Sequence, residues 1–166
     1  MKIGRIIIIF LMVLPLQVLL THLTGFEYAH FDLMLIFTLY LSTKLEMIPL
    51  IYTSFVIGLV KDMLSGAVVG LSGFSFPIVA LLSALAFGRL QIKRFYSQFL
   101  LIFILSIINL LLNSFVALIF GIRIINLRFM EYIYTGLGNG ILFTIILNLK
   151  KIIPRKLRRK GSRYAA

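Results

Sequence analysis

The stretch Gly58-Leu-Val-Lys-Asp62-Met-Leu-Ser-Gly66-Ala-Val-Val-Gly70-Leu-Ser-Gly73 decides how the chain is read. It sets Lys61 and Asp62 directly after the apolar run Phe55-Val-Ile-Gly-Leu-Val60. Ionisable residues near membrane depth are costly, and those that persist face a partner, a cavity or the interface. Small or polar residues recur at every fourth position: Ser54, Gly58, Asp62, Gly66 and Gly70. On a helix that spacing draws a narrow stripe along one face, where a second helix can come close. Gly66, Gly70 and Gly73 predict a helix end after Asp62.

Outward from this stretch the composition is that of an integral membrane protein. Of 166 residues, 61% are hydrophobic, against about half in soluble domains. The expected fold class is an all-α bundle of six transmembrane helices over residues 1–149, followed by a basic cytoplasmic tail at 150–166. Cysteine is absent, which excludes disulfides and thiolate metal sites. His22 and His30 lack metal-ligand spacing and read as polar residues of an exterior loop.

The net charge of +12 does not indicate nucleic acid. Eight of the 17 basic residues fall in the tail, from Lys150 to Arg163. A basic segment after a span sets topology and meets anionic lipid. An acidic cytoplasmic partner is the alternative reading of the tail.

The expected spans are Ile6–Leu20 with Pro15 inside, Leu33–Leu41, about Ile48 to Asp62 or slightly beyond, about Phe74–Phe87, Phe99–Phe120 and Ile133–Leu149. The first reads as an uncleaved span, because Thr21-His-Leu-Thr-Gly25 offers no convincing small-x-small cleavage site. The second and third are short. Residues 31–42 reach only about 18 Å, against about 30 Å of hydrocarbon. The second segment must borrow flanking residues or be re-entrant. Six spans place both termini on one side. That side then carries Lys2, Arg5, Lys44, Arg89, Lys93, Arg94 and the tail, while the other carries Lys61, Arg123 and Arg128. This bias makes both termini cytoplasmic.

Besides the tail, three features could carry chemistry or contacts. Asp62 is either an intramembrane polar contact, to Lys61, a neighbouring helix or a partner protein, or a solvated acid at the exterior helix end. The last span carries Gly136, Gly140, Thr144 and Asn148 on one face, with Asn139 beside it. Gly136-x-x-x-Gly140 is a close-packing pattern that suits packing inside the bundle better than an intermolecular interface. In the fifth span Ser106, Asn109 and Asn113 share a face that must point into protein, for interhelical hydrogen bonds or a polar cavity. Against catalysis stand the lack of a phosphate-cradling loop, a metal-ligand cluster, His-Glu-x-x-His, Gly-x-Ser-x-Gly and paired acids. No cofactor is expected.

Asp32-Leu-Met-Leu-Ile-Phe-Thr-Leu-Tyr40-Leu and Gly58-Leu-Val-Lys-Asp62-Met-Leu-Ser65-Gly66-Ala-Val-Val-Gly70-Leu resemble the two signature motifs of the rod shape-determining protein MreD family. Asn139-Gly140 is a weaker match. Phe31 stands where a proline often precedes the acid. The resemblance implies a non-catalytic subunit of the bacterial cell-elongation machinery in the cytoplasmic membrane. It implies association with MreC and, through it, with MreB, RodA and a class B penicillin-binding protein. It also implies a six-helix fold similar to the substrate-binding subunits of energy-coupling-factor vitamin transporters. The residues that this reading marks for partner contact or packing are Asp32, Gly58, Asp62, Ser65, Gly66, Gly70, Asn109, Asn113, Gly136, Asn139 and Gly140. A small-molecule-binding subunit of a transporter is the competing function.

Overall fold

A computed structural model describes residues 3–24, 32–65, 68–89, 95–121 and 129–152. These form six helices: α1 (Ile3–Thr24), α2 (Leu33–Ser42), α3 (Met47–Ser65), α4 (Leu71–Arg89), α5 (Phe95–Ile119) and α6 (Phe129–Ile152). No strand occurs among the described residues. Helices α3, α4 and α5 are long and apolar enough to cross a membrane.

Five helices run further than their apolar stretches predict. The largest correction is at α3. It has 19 residues, about 28 Å, and is not short. It ends at Ser65, after Asp62 as the glycines predict, and both Lys61 and Asp62 find partners inside the bundle. Thr21–Thr24 belongs to α1, not to a loop. Gly73 lies inside α4, whose first residue is Leu71, not in a preceding link. Pro49 occupies the first turn of α3, where its missing N–H costs nothing.

α2 is the centre of the molecule. Its ten residues span about 15 Å, half a hydrocarbon core. Every side chain but that of Tyr40 is buried. A helix apolar on all sides belongs in a core. α2 touches α1, α3, α4 and α6, and around it α3 packs on α4, α4 on α5 and α5 on α6. Phe37 stacks on Phe10 of α1 with ring centroids 6.1 Å apart. Ser42 Oγ meets Ser83 Oγ of α4 at 2.7 Å. The outer faces are apolar too. Tyr52 and Val56 on α3 and Leu111, Phe115 and Leu118 on α5 are all exposed, as lipid-facing side chains are.

The Ser54, Gly58, Asp62 stripe is buried along α3 and faces α4, its most extensive neighbour. A Cβ on Gly58 would run into the carbonyl of Ser72 and lie 2.7 Å from Gly73 N. Gly136 and Gly140 pack against α5. There a Cβ would meet the Phe103 and Phe99 rings at 2.9 Å each. Backbone cannot yield as a ring can. Gly58→Ala is therefore expected to lower unfolding stability in detergent by roughly 1–3 kcal/mol. Gly136→Ala should cost less, and Gly88→Ala, with nothing within 4 Å, almost nothing. Chemical denaturation of the three variants checks this order.

Candidate functional site: a polar junction at two buried helix starts

An α-helix leaves its first N–H groups without partners in the helix, and inside a bundle no water is at hand to take them. The structure resolves this at two places with two of the chain's few acids.

At α4 the acid comes from the neighbouring helix. Gly70, with φ of 111°, turns the chain into the helix in a conformation that favours glycine. Asp62 Oδ2 accepts from the N–H of Gly70 at 2.9 Å, Ser72 at 3.0 Å and Gly73 at 3.4 Å. Its Oδ1 also accepts from Ser72, at 3.2 Å. The Leu71 N–H donates to the carbonyl of Val68, and Phe74 begins the regular ladder by donating to Gly70. Every N–H from Gly70 to Phe74 is thus satisfied. The positive end of the α4 dipole adds to this charge-assisted grip. Asp62 is 1% exposed. Of the readings open in the sequence, the contact to a neighbouring helix is the one observed. Asp62 is not a solvated acid, and it is not hydrogen-bonded to Lys61.

At α2 the acid is the N-cap itself. Asp32 Oδ1 accepts from Leu35 N–H at 2.9 Å. The N–H of Asp32 donates to Asn139 Oδ1 of α6 at 3.0 Å. The N–H of Leu33 donates to Gln17 Oε1 of α1 at 2.8 Å. Lys61 Nζ of α3 pairs with Asp32 Oδ2 at 2.5 Å and lies 5.0 Å from the ring centre of Phe76 in α4. Asp32 and Lys61 are only 10% and 23% exposed in their side chains. Asp32 is therefore no loop acid. The α2 start thus lies beside Asn139 near the middle of α6, and beside Gln17 and Lys61, which stand past the middle of α1 and α3.

Consecutive residues on a helix point about 100° apart. Lys61 and Asp62 use this to serve two helix starts at once, Lys61 at α2 and Asp62 at α4.

The junction continues through the amides. Asn139 Nδ2 donates to Ser106 Oγ of α5 at 3.3 Å. Ser75 Oγ of α4 donates to Asn109 Oδ1 of α5 at 3.0 Å. Asn109 and Asn139 are buried. Asn113 is half-buried, and its Oδ1 is buried without a hydrogen-bond partner. Ser65 is exposed, with its hydroxyl donating to the Asp62 carbonyl at 3.2 Å. Gly66 lies outside the described residues, as do His30, Lys93, Arg94, Arg123, Arg128 and the tail from residue 153. No group of three His, Asp or Glu side chains that could hold a metal occurs among the described residues.

Sequence reasoning missed Gln17, Lys61 as the partner of Asp32, and Ser72 and Ser75. The signal for Gln17 was present as one amide inside the run Ile6–Leu20. The other contacts join residues far apart in the chain or use backbone N–H groups, which leave no mark in the sequence.

Two acids held by helix starts, with a glycine turn between α3 and α4, occupy the motifs quoted above. The family model of rod shape-determining protein MreD matches residues 3–153. The chain belongs to the MreD family. This is a family of membrane proteins that determine rod shape and are not known as enzymes. No curated protein and no solved structure matches the chain.

Replacing Asp62 by Leu strips the acceptor from three N–H groups at the α4 start. The expected loss of unfolding stability is on the order of 3 kcal/mol or more, at about 1–3 kcal/mol for each buried donor left unpaired. Asp62→Asn keeps one oxygen and should lose about half as much. Thermal unfolding in detergent micelles measures both, and a Leu variant as stable as the parent contradicts the assignment.

Proposed function

We propose that this MreD-family protein is a non-catalytic scaffold of the cell-elongation machinery. Its chain crosses the cytoplasmic membrane six times, with the short α2 supplying only part of the second crossing, and both termini are cytoplasmic. It recruits or stabilises MreC and, through it, MreB, RodA and a class B penicillin-binding protein. The observation that carries the reading is the family match over residues 3–153. The site chemistry supports it. Asp32 and Asp62, the two acids of the matched motifs, are committed to backbone N–H groups and to Lys61. A carboxylate so committed is a poor proton-transfer group. What remains for contact with other proteins is shape and apolar surface, which is what helix-to-helix recognition in a membrane uses.

The proposed contact surface is the outer face of α3 together with the turn into α4. Tyr52, Val56 and Met63 are exposed there, and the Asp62–Gly70 contact fixes how the turn leaves α3. The fold would be similar to the substrate-binding subunits of energy-coupling-factor vitamin transporters, with the basic tail at anionic lipid.

A second reading, a small-molecule-binding subunit of a transporter, has one observation in its favour. Asn113 Oδ1 is a buried acceptor without a partner. Against it, the neighbouring Asn109 is already bonded to Ser75.

Affinity purification of the tagged protein from native membranes in mild detergent separates the two. Recovery of MreC with the elongation synthases is the expected result. Recovery of a transport ATPase with its coupling subunit instead overturns the scaffold reading. Within it, Asp62→Leu, Gly66→Leu and the pair Tyr52→Ala with Val56→Ala should each reduce MreC recovery while membrane insertion persists. The surface pair separates loss of contact from loss of fold. Undiminished recovery with all three removes α3 and its turn from the interface.

A further inference from the structure

Lys61 is hard to explain as a solubilising residue. A helix tilts its side chains toward its own N-terminus, so Lys61, near the end of α3, reaches back into the bundle. It meets Asp32 at the start of α2, where Asn139 of α6 also bonds. A charge this deep persists only where it has a partner.

α2 cannot hold itself there. It is too short to reach both sides of a membrane. Its first N–H groups depend on Gln17 and Asn139, which lie on other helices. Its N-cap carboxylate is 10% exposed and has two partners, the Leu35 N–H and Lys61, whose ammonium lies 5.0 Å from the centre of the Phe76 ring. Without a cation beside it, the favourable place for that carboxylate is the membrane surface, and α2 would be drawn out with it.

We propose that the Asp32–Lys61 ion pair is a latch that seats α2 at the centre of the bundle and couples it to the α3–α4 hairpin. The ion pair acts through mutual neutralisation. Removal of either charge unseats α2, and removal of both does not. Lys61 is thus a positioning residue for the core helix, a role separate from that of Asp62 one residue on.

The chain has no cysteine, so a single reporter is simple to place. Met34, in the first turn of α2, is 0% exposed. Met34→Cys would be introduced into the full-length parent, Lys61→Met, Asp32→Asn and the Asp32→Asn/Lys61→Met double variant. Each would be reconstituted in lipid vesicles and labelled with a water-soluble maleimide. Asn is as good an N-cap as Asp, so Asp32→Asn removes charge without removing the cap. Each single variant should label at least roughly tenfold faster than the parent, because a lone buried charge is strongly destabilising. The double variant should return to within about threefold of the parent. Protection of both single variants at the parent level overturns the latch. A double variant that labels as fast as the singles also overturns it, because the role of Lys61 would then be packing by its stem. Where a single variant fails to accumulate, accumulation of the double variant supports the latch, and failure of both overturns it.

Discussion

A backbone N–H inside a membrane bundle must have an acceptor, and in this protein two helix starts take theirs from buried carboxylates. That constraint governs the rest of the structure. Asp62 reaches from α3 to take the opening N–H groups of α4, and Asp32 caps α2. A carboxylate suits the task better than a hydroxyl or an amide. It has two oxygens, several lone pairs and a charge that the helix dipole favours. The cost of burying that charge is offset in two different ways. Asp62 is held by the N–H of Gly70, just before α4, and by those of Ser72 and Gly73 within it. Asp32 is held by one N–H of α2 and by Lys61.

From these two helix starts the packing follows. Asp62 draws the start of α4 against α3, and Gly58 supplies the room for the Ser72 carbonyl to lie there. The glycine and the acid sit one turn apart for one purpose. The α2 start gathers Gln17, Lys61 and Asn139 from three helices, and Asn139 passes the link on to Ser106. The hydrophobic effect does not drive helices together in lipid, since the tails are as apolar as the side chains, so close packing at Gly58 and these bonds must set the register. The smooth outer faces are left to lipid and to other helices.

Much of this was legible in the sequence. The four-residue spacing of Ser54, Gly58 and Asp62 identified the buried face of α3. Ser106, Asn109 and Asn113 were expected to face protein because an amide in lipid needs a partner; Ser106 and Asn109 are buried, while Asn113 is half-buried with its Oδ1 unpartnered. What stayed hidden was the identity of the partners. Asp62 bonds to backbone, which has no letter in the sequence. Asp32 and Lys61 are 29 residues apart, and nothing in periodicity joins them. The span at 33–41 raised a length problem, and the signal for its solution was its lack of any polar face. A short segment that is apolar all round belongs in a core. The start of α4 was misjudged because glycine is a stop signal in isolated helices, whereas α3 ends at Ser65, after Asp62 as the glycines predict. Here Lys61, Asp62 and Gly73 are absorbed by neighbouring helices.

The central claim is that the shortest helix is the best-protected one, because its start is bonded on all sides within the bundle. Amide hydrogen exchange by mass spectrometry, on the full-length protein in lipid nanodiscs, tests it most directly. Peptides covering Leu33–Ser42 should exchange among the slowest in the chain, together with those at the α3–α4 contact from Ser54 to Asp62. If residues 33–42 exchange as fast as the chain ends, α2 is a solvent-lined re-entrant segment. The polar junction would then not hold the bundle together.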